Sequence, residues 1–168
     1  TNMTPSLYLF DDESTREWEP FTLTRPAGEL YFGAFTLRER ARRYWDSPCR
    51  GHLSSPFLAG FSEAGTPPVV EPEEVPDQEH RVFWSSRLIP LGQAPSLPPQ
   101  AANLRVGERV VGWSLPQGMP TPPRGFFLNP EPLPTAEEVE LEGTLLEAPW
   151  DLMEGNGGQL REDIPRFF

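Results

Sequence analysis

SLYLFDDE, residues 6–13, contains the first strong secondary-structure element of the chain. A short, largely apolar run gives way abruptly to Asp11, Asp12 and Glu13, which is typical of the end of a buried central strand. We therefore predict a strand over residues 6–10. The acidic residues then follow its carboxyl end, which is where open α/β sheets bind their ligands.

The first helix is predicted over TLRERARRYW, residues 36–45. Thr36 and Glu39 have the spacing of a capping box, and apolar residues recur on one helical face behind them. The connecting stretch PFTLTRPAGEL, residues 20–30, contains two prolines and a glycine, which indicate an extended, shaped loop. A strand, a shaped loop and a capped helix thus open the chain.

Four further segments carry strand patterns bounded by glycine or proline: residues 56–59, 81–86, 108–115 and 126–129. Three connectors between them are rich in proline: residues 65–76, 94–99 and 115–123. The chain has 22 prolines, but five Trp and eleven Phe supply apolar area that a disordered chain lacks. We therefore predict long ordered loops.

Composition narrows the classes of partner. The formal charge of -11 over 168 residues disfavours a nucleic acid polymer, whereas a small phosphorylated ligand needs only a local arginine cluster. All basic residues are arginines, which excludes Schiff-base and lysine-base chemistry. Cys49 is the single cysteine, and no apolar stretch reaches the ~20 residues that span a bilayer. We expect one cytoplasmic domain without a membrane partner.

Several of these motifs together resemble a known family. The strand with its acidic end, the loop around Thr24-Arg25-Pro26-Ala27-Gly28-Glu29 and the capped helix are similar to the opening of a branch of sugar nucleotidyltransferases. SSRLIP (residues 85–90) and PWDL (residues 149–152) resemble its middle and closing segments. The branch belongs with the bifunctional UDP-N-acetylglucosamine pyrophosphorylase/acetyltransferases.

The resemblance implies a fold and an activity. It implies that residues 1–168 form one α/β domain, a Rossmann-like nucleotidyltransferase fold with a central mixed sheet, followed in the family by a left-handed β-helix. The implied reaction joins a sugar 1-phosphate to a nucleoside triphosphate, with Mg²⁺ neutralising charge. The implied ligands are therefore a nucleoside triphosphate or a nucleotide-sugar.

The sequence departs from better-known nucleotidyltransferases at three places. Asp11-Asp12-Glu13 stands where those proteins have a glycine-rich triphosphate loop. Ser85 or Ser86 stands where they have a magnesium-binding aspartate, and a hydroxyl is a poorer ligand for a hard cation. Arg25 replaces a phosphate-contacting lysine, an exchange that phosphate binding tolerates.

The candidate site residues are Arg25 as the catalytic group, Thr24, Gly28, Glu29, Arg38 and Arg87 as nucleotide-binding groups, and Asp11 and Asp12, at the strand end, as ligands for magnesium or for a ribose hydroxyl. Each has a structural alternative. Arg25 would instead brace its loop, the two aspartates would form a solvated turn, and the two other arginines would make ion pairs.

The sequence is compatible with three functions. The first is a nucleotidyltransferase-like domain that binds a nucleotide or nucleotide-sugar, with weak or lost catalysis. The second is a non-catalytic scaffold for a downstream hexapeptide-repeat acyltransferase, suggested by Ser85 and Ser86. The third is a protein-interaction module built on the proline-rich loops.

Overall fold

Ten strands and four helices form the structure, a computed structural model that describes residues 4–19 and 21–168. The strands are β1 (Ser6–Phe10), β2 (Tyr31–Phe32), β3 (Phe35–Thr36), β4 (Cys49–Leu53), β5 (Arg81–Ser85), β6 (Leu88–Pro90), β7 (Ala102–Val106), β8 (Arg109–Leu115), β9 (Glu137–Glu140) and β10 (Gly143–Leu145). The helices are α1 (Glu13–Arg16), α2 (Leu37–Trp45), α3 (Arg124–Leu128) and α4 (Pro149–Phe167).

Six of these strands form one mixed sheet in the order β4-β1-β5-β8-β7-β9. β1 is parallel to both β4 and β5, β8 is antiparallel to β5 and β7, and β9 is parallel to β7. Two small ladders flank it, the β2–β3 hairpin and the β6–β10 pair. The prediction of an α/β domain with a central mixed sheet and long proline-rich loops is confirmed.

Side chains alternate between the two faces of the sheet, as the pleat requires. Leu7 and Leu9 of β1 pack with Trp84 of β5 and with Ala41 and Trp45 of α2. The alternate residues of these strands face the other way and pack against α3. Both faces of the central strands are therefore covered, which explains the almost continuous apolar run in β1.

Helix α4 is attached to the β2–β3 hairpin by polar contacts. Asn156 accepts a hydrogen bond from the Gly33 N–H at 2.7 Å, and Asp163 accepts one from the Ala34 N–H at 2.9 Å. Asp163 also forms a buried ion pair with Arg40 of α2. The carboxyl-terminal helix is thereby attached to the region between the first strand and the first long helix.

The local predictions fared unevenly. The strand over residues 6–10 and the helix that Thr36 caps are confirmed, with the Thr36 hydroxyl accepting from the Glu39 N–H at 3.1 Å. The predicted strand over 56–59 is wrong, because Pro56–Leu58 form a 3₁₀ turn. The predicted strand over 126–129 is also wrong, since it overlaps α3, which buries Phe127 in the core.

Among the helices of the described residues, none combines the length and the hydropathy that a membrane span requires.

Candidate functional site

The carboxyl ends of the three parallel strands meet at one buried carboxylate, Asp11. It follows β1, while Ser54 follows β4 and Ser86 follows β5. Asp11 accepts hydrogen bonds from the Ser54 hydroxyl at 2.5 Å, the Ser86 hydroxyl at 2.7 Å and the Ala27 N–H at 2.9 Å. Three donors from three separate segments thus hold one charge at the strand ends.

Asp12, the second acidic residue, is equally engaged. One of its oxygens caps α1 by accepting from the Thr15 N–H and hydroxyl at 2.8 and 2.6 Å. The other oxygen accepts from Arg87 Nε at 2.9 Å. Arg87 also donates to the Leu146 carbonyl at 3.0 Å and pairs with Glu147 at 3.4 Å. The arginine therefore connects the end of β1 to the segment that leads into α4.

These contacts decide how well the two aspartates suit a metal. A hard cation needs carboxylate lone pairs that are free of other partners. Asp11 is 1% exposed and already accepts three hydrogen bonds. Asp12 is paired with the Arg87 guanidinium, whose positive charge would repel a cation. Within residues 4–19 and 21–168 no group of three or more His, Cys, Asp or Glu side chains is placed to hold a metal ion. Asp11 and Asp12 as arranged do not fit Mg²⁺.

The loop after β1 holds a second buried network, centred on Glu29. Arg38 donates to the two Glu29 oxygens at 2.6 and 3.2 Å, and His52 Nε2 lies 2.7 Å from the same carboxylate. Burial alone would raise the pKa of Glu29, but the hydrogen bonds from His52 and Arg38 outweigh it and lower the pKa. Glu29 is thus an ionised, fully partnered group.

Gly28 shows why this loop requires a glycine. A Cβ added there would lie 2.7 Å from His52 Cε1 and 2.9 Å from Leu9 Cδ2. The close approach that its sequence context indicates is therefore made to a buried histidine ring. His52, which carries no recognisable sequence motif, is the partner that sequence reasoning missed.

Thr24 and Arg25 lie on the outer side of the loop. Thr24 is exposed, and Arg25 lies 3.5 Å from Glu63, with both side chains well exposed. The predicted residues are therefore divided among three places: Asp11, Asp12 and Arg87 at the strand ends, the Glu29 network, and this outer surface. The assignment of Arg25 as the catalytic group stays a prediction.

A polar cleft of about 560 Å³ opens beside the strand ends. Asp12, Ser85 and Arg87 line it, and so do Arg105 and Arg109 from the β7–β8 hairpin. We call it the strand-end cleft. Its volume lies within the range of about 300–1,000 Å³ typical of small-molecule sites.

Ser85 is a buried side chain in this wall that has no hydrogen-bond partner for its hydroxyl. Arg105 pairs with Glu138 at 2.5 Å, and Arg109 pairs with Glu147 at 2.5 Å. Sequence reasoning missed both arginines, although RVGER at residues 105–109 places two cations on either side of the Gly107 turn. That spacing was the available signal.

The fold and the cleft together define an α/β domain with a mixed sheet and a polar cleft at the carboxyl ends of its parallel strands. A family model described as sugar nucleotidyl transferase matches residues 7–167, so the chain belongs to this family. Among curated proteins, none matches the sequence significantly.

Proposed function

We propose that this domain binds a nucleotide or nucleotide-sugar in the strand-end cleft. The observation that carries the proposal is the position of Arg87, Arg105 and Arg109 on the wall of a cleft at the carboxyl ends of β1 and β5. Guanidinium groups bind phosphate oxygens in a planar fork, and α/β sheets take their ligands at this edge.

The charges of the cleft match a ligand that carries both phosphates and hydroxyls. The Arg109–Glu147 pair is more than half exposed on both sides, and such pairs contribute little to stability. A phosphate can therefore replace Glu147 at small cost. Glu13, Glu17 and Glu108 line the same cleft and offer acceptors for sugar hydroxyls.

UDP-N-acetylglucosamine and UTP are the ligands that this proposal favours, since the resemblance to the pyrophosphorylase branch implies them. Magnesium would then arrive on the ligand's phosphates, because Asp11 and Asp12 are already engaged. The chain's own part is to bind and orient the ligand with its arginines and to offer the Ser85 hydroxyl as a further contact. A cytoplasmic location stays a prediction.

Calorimetric titration with UTP and with UDP-N-acetylglucosamine, each with and without Mg²⁺, tests the proposal. Arg109→Gln should weaken binding by roughly ten- to a hundredfold, since a hydrogen bond to a charged group contributes about 1.5–3 kcal/mol. Arg124→Gln is the matched control, because Arg124 is also exposed and ion-paired but does not line the cleft. Absence of binding at millimolar ligand, or equal losses in both variants, would overturn the proposal.

A non-catalytic scaffold is the second candidate function. It is favoured by the serines at positions 85 and 86, where the resemblance implies a magnesium-binding aspartate, and by the protein donors that already engage Asp11 and Asp12. Such a domain would keep its cleft and orient a β-helix acyltransferase. Incubation with UDP-N-acetylglucosamine, pyrophosphate and Mg²⁺ separates the two candidates, because release of UTP above the protein-free control rules out the scaffold.

A further inference from the structure

A second cleft, of about 860 Å³, lies apart from the strand ends. Its lining includes Pro5 and His80, which directly precede β1 and β5. The second cleft therefore lies at the amino ends of these strands, opposite the strand-end cleft. Its other walls are α2, the loop after β6 and the end of α4. No lining residue is shared with the strand-end cleft. We call it the α2–α4 cleft.

Aromatic residues and prolines form the apolar part of the α2–α4 cleft. Phe35, Tyr44 and Phe167 line it on the helical side, and prolines of the 90–99 segment line the other. Phe35 and Phe167 meet edge to face with their centroids 5.0 Å apart. Surfaces of this kind bind flat apolar groups, because aromatic rings offer a large contact area and little conformational freedom.

Two buried N–H donors of this wall have no acceptor among the described residues. Trp45 Nε1 and Arg40 Nε are buried, and neither has a hydrogen-bond partner. An unsatisfied buried N–H costs about 1–3 kcal/mol, which an acceptor on a ligand would recover after a small rotation of the side chain. By contrast, no buried side-chain oxygen of this cleft is left without a partner in the described ranges.

Arg43 supplies a cation next to the aromatic rings. Its guanidinium lies 4.3 Å from the centre of the Phe35 ring and 5.6 Å from that of Phe167. It shares Glu39 with Arg42, so one carboxylate serves two arginines. An anion bound at Arg43 would therefore complete an incomplete charge pairing at the mouth of an aromatic cleft.

The acidic residues of the cleft do not occupy these donors. The terminal nitrogens of Arg40 bind Asp163, whereas Arg40 Nε has no hydrogen-bond partner in the part of the chain that the structure describes. Asp46 and Glu162 lie at exposed positions in the wall. They would repel an anion placed beside them, so the carboxylate of a ligand belongs at Arg43, with its ring on the exposed side of Phe167 and on the prolines of the 90–99 segment.

From this arrangement we infer that the α2–α4 cleft binds a small molecule with a flat apolar ring body and a carboxylate. The ring packs against Phe167 and the prolines of the 90–99 segment, and the carboxylate accepts hydrogen bonds from Arg43. This site is separate from nucleotide binding and does not depend on it.

The probe is 2-naphthoate, titrated calorimetrically against the whole chain, with 2-naphthalenemethanol as its uncharged counterpart. Binding of the naphthoate should be about tenfold tighter than that of the alcohol, since charge-assisted hydrogen bonds are about twice as strong as neutral ones. Arg43→Gln should remove most of this difference and leave binding of the alcohol unchanged, while Arg166, which lines the same cleft beside Phe167, supplies the remainder. Arg42→Gln is the matched control, because Arg42 shares the same carboxylate but does not line the cleft.

Ala94→Trp places a large side chain in the cleft wall and should reduce binding of both probes. Its melting temperature shows whether it folds, and the Arg42 and Arg43 variants keep the test decisive if it does not. The inference is overturned if naphthoate fails to bind at 10 mM, binds no tighter than the alcohol, or weakens equally in the Arg42 and Arg43 variants.

Discussion

Buried carboxylates are the feature that distinguishes individual residues of this protein. Asp11, Glu29 and Asp163 are each at most 4% exposed, and each is held by two or more hydrogen bonds from the protein. A buried charge is tolerated only with such partners, and removal of one partner exposes the full cost of burial. Several of the acidic side chains thus lie in the interior of the protein.

Stability should fall in acid because of two of these groups. Burial alone would raise the pKa of both Glu29 and Asp163. Hydrogen bonds from His52 and Arg38 lower the pKa of Glu29 instead, and a hydrogen bond from Arg40 lowers that of Asp163. A lowered folded pKa adds stability above the unfolded value, which is lost as the pH falls through the folded pKa.

Each group should therefore steepen the fall in the free energy of unfolding below about pH 4.5, by up to about 1.4 kcal/mol per pH unit. Urea titrations between pH 3 and 7 measure this slope. Glu29→Gln and Asp163→Asn should each flatten it. Variants as steep as the parent protein would show that neither carboxyl takes up its proton on unfolding.

At the scale of elements, α4 is the unusual helix. Gly155, Gly157 and Gly158 lie in its middle, where glycine is a poor helix former, and Pro165 lies near its end. The helix is held from outside, by Asn156 on the β2–β3 hairpin and by the Asp163 pair. Packing and polar contacts therefore determine α4 more than its own helix propensity does.

Two glycine substitutions separate propensity from packing. At Gly158 an added methyl has no neighbour within 4 Å, so Gly158→Ala should stabilise the protein by about 0.5–1 kcal/mol. At Gly155 the same methyl would lie 2.8 Å from a ring carbon of Phe32, so Gly155→Ala should lose this gain or destabilise. Urea midpoints measure both, and equal gains would mean that α4 does not pack on Phe32.

The short elements show where local patterns are insufficient. Residues 126–129 carry an apolar run that suits either a strand or a helix at that length, and burial of Phe127 against the sheet decides for a helix. Strand β4 reads as Cys-Arg-Gly-His-Leu and was not predicted, because His52 is polar. The His52 side chain is nevertheless fully buried, because its Nε2 lies within hydrogen-bonding distance of the Glu29 carboxylate.

At the scale of the whole molecule, the net charge of -11 is the dominant electrostatic quantity. Self-repulsion of this charge destabilises the folded chain, while most of the exposed ion pairs contribute little. Added salt screens both, so the larger effect decides the sign.

The melting temperature should therefore rise when NaCl is increased from about 20 to 300 mM at pH 7, because the Debye length falls from roughly 20 Å to below 8 Å. Differential scanning calorimetry measures the change. Glu137→Gln and Glu140→Gln, on strand β9, should reduce the salt effect because each makes the net charge less negative. A melting temperature that falls with salt would mean that the ion pairs outweigh the repulsion.

Strand β1, helix α2 with its Thr36 cap, the class of fold and the sign of the charge could all be predicted from the sequence. These features follow from neighbours along the chain, in the form of apolar periodicity, capping spacing and composition. The arrangement of the site could not be predicted, because it depends on residues that are distant along the chain. Ser54 and Ser86 lie 43 and 75 residues beyond Asp11, and they reach its carboxylate because parallel pairing brings β4 and β5 beside β1. A local pattern carries no information about such partners, so it could propose Asp11 as a ligand group but not show that its oxygens are already bound.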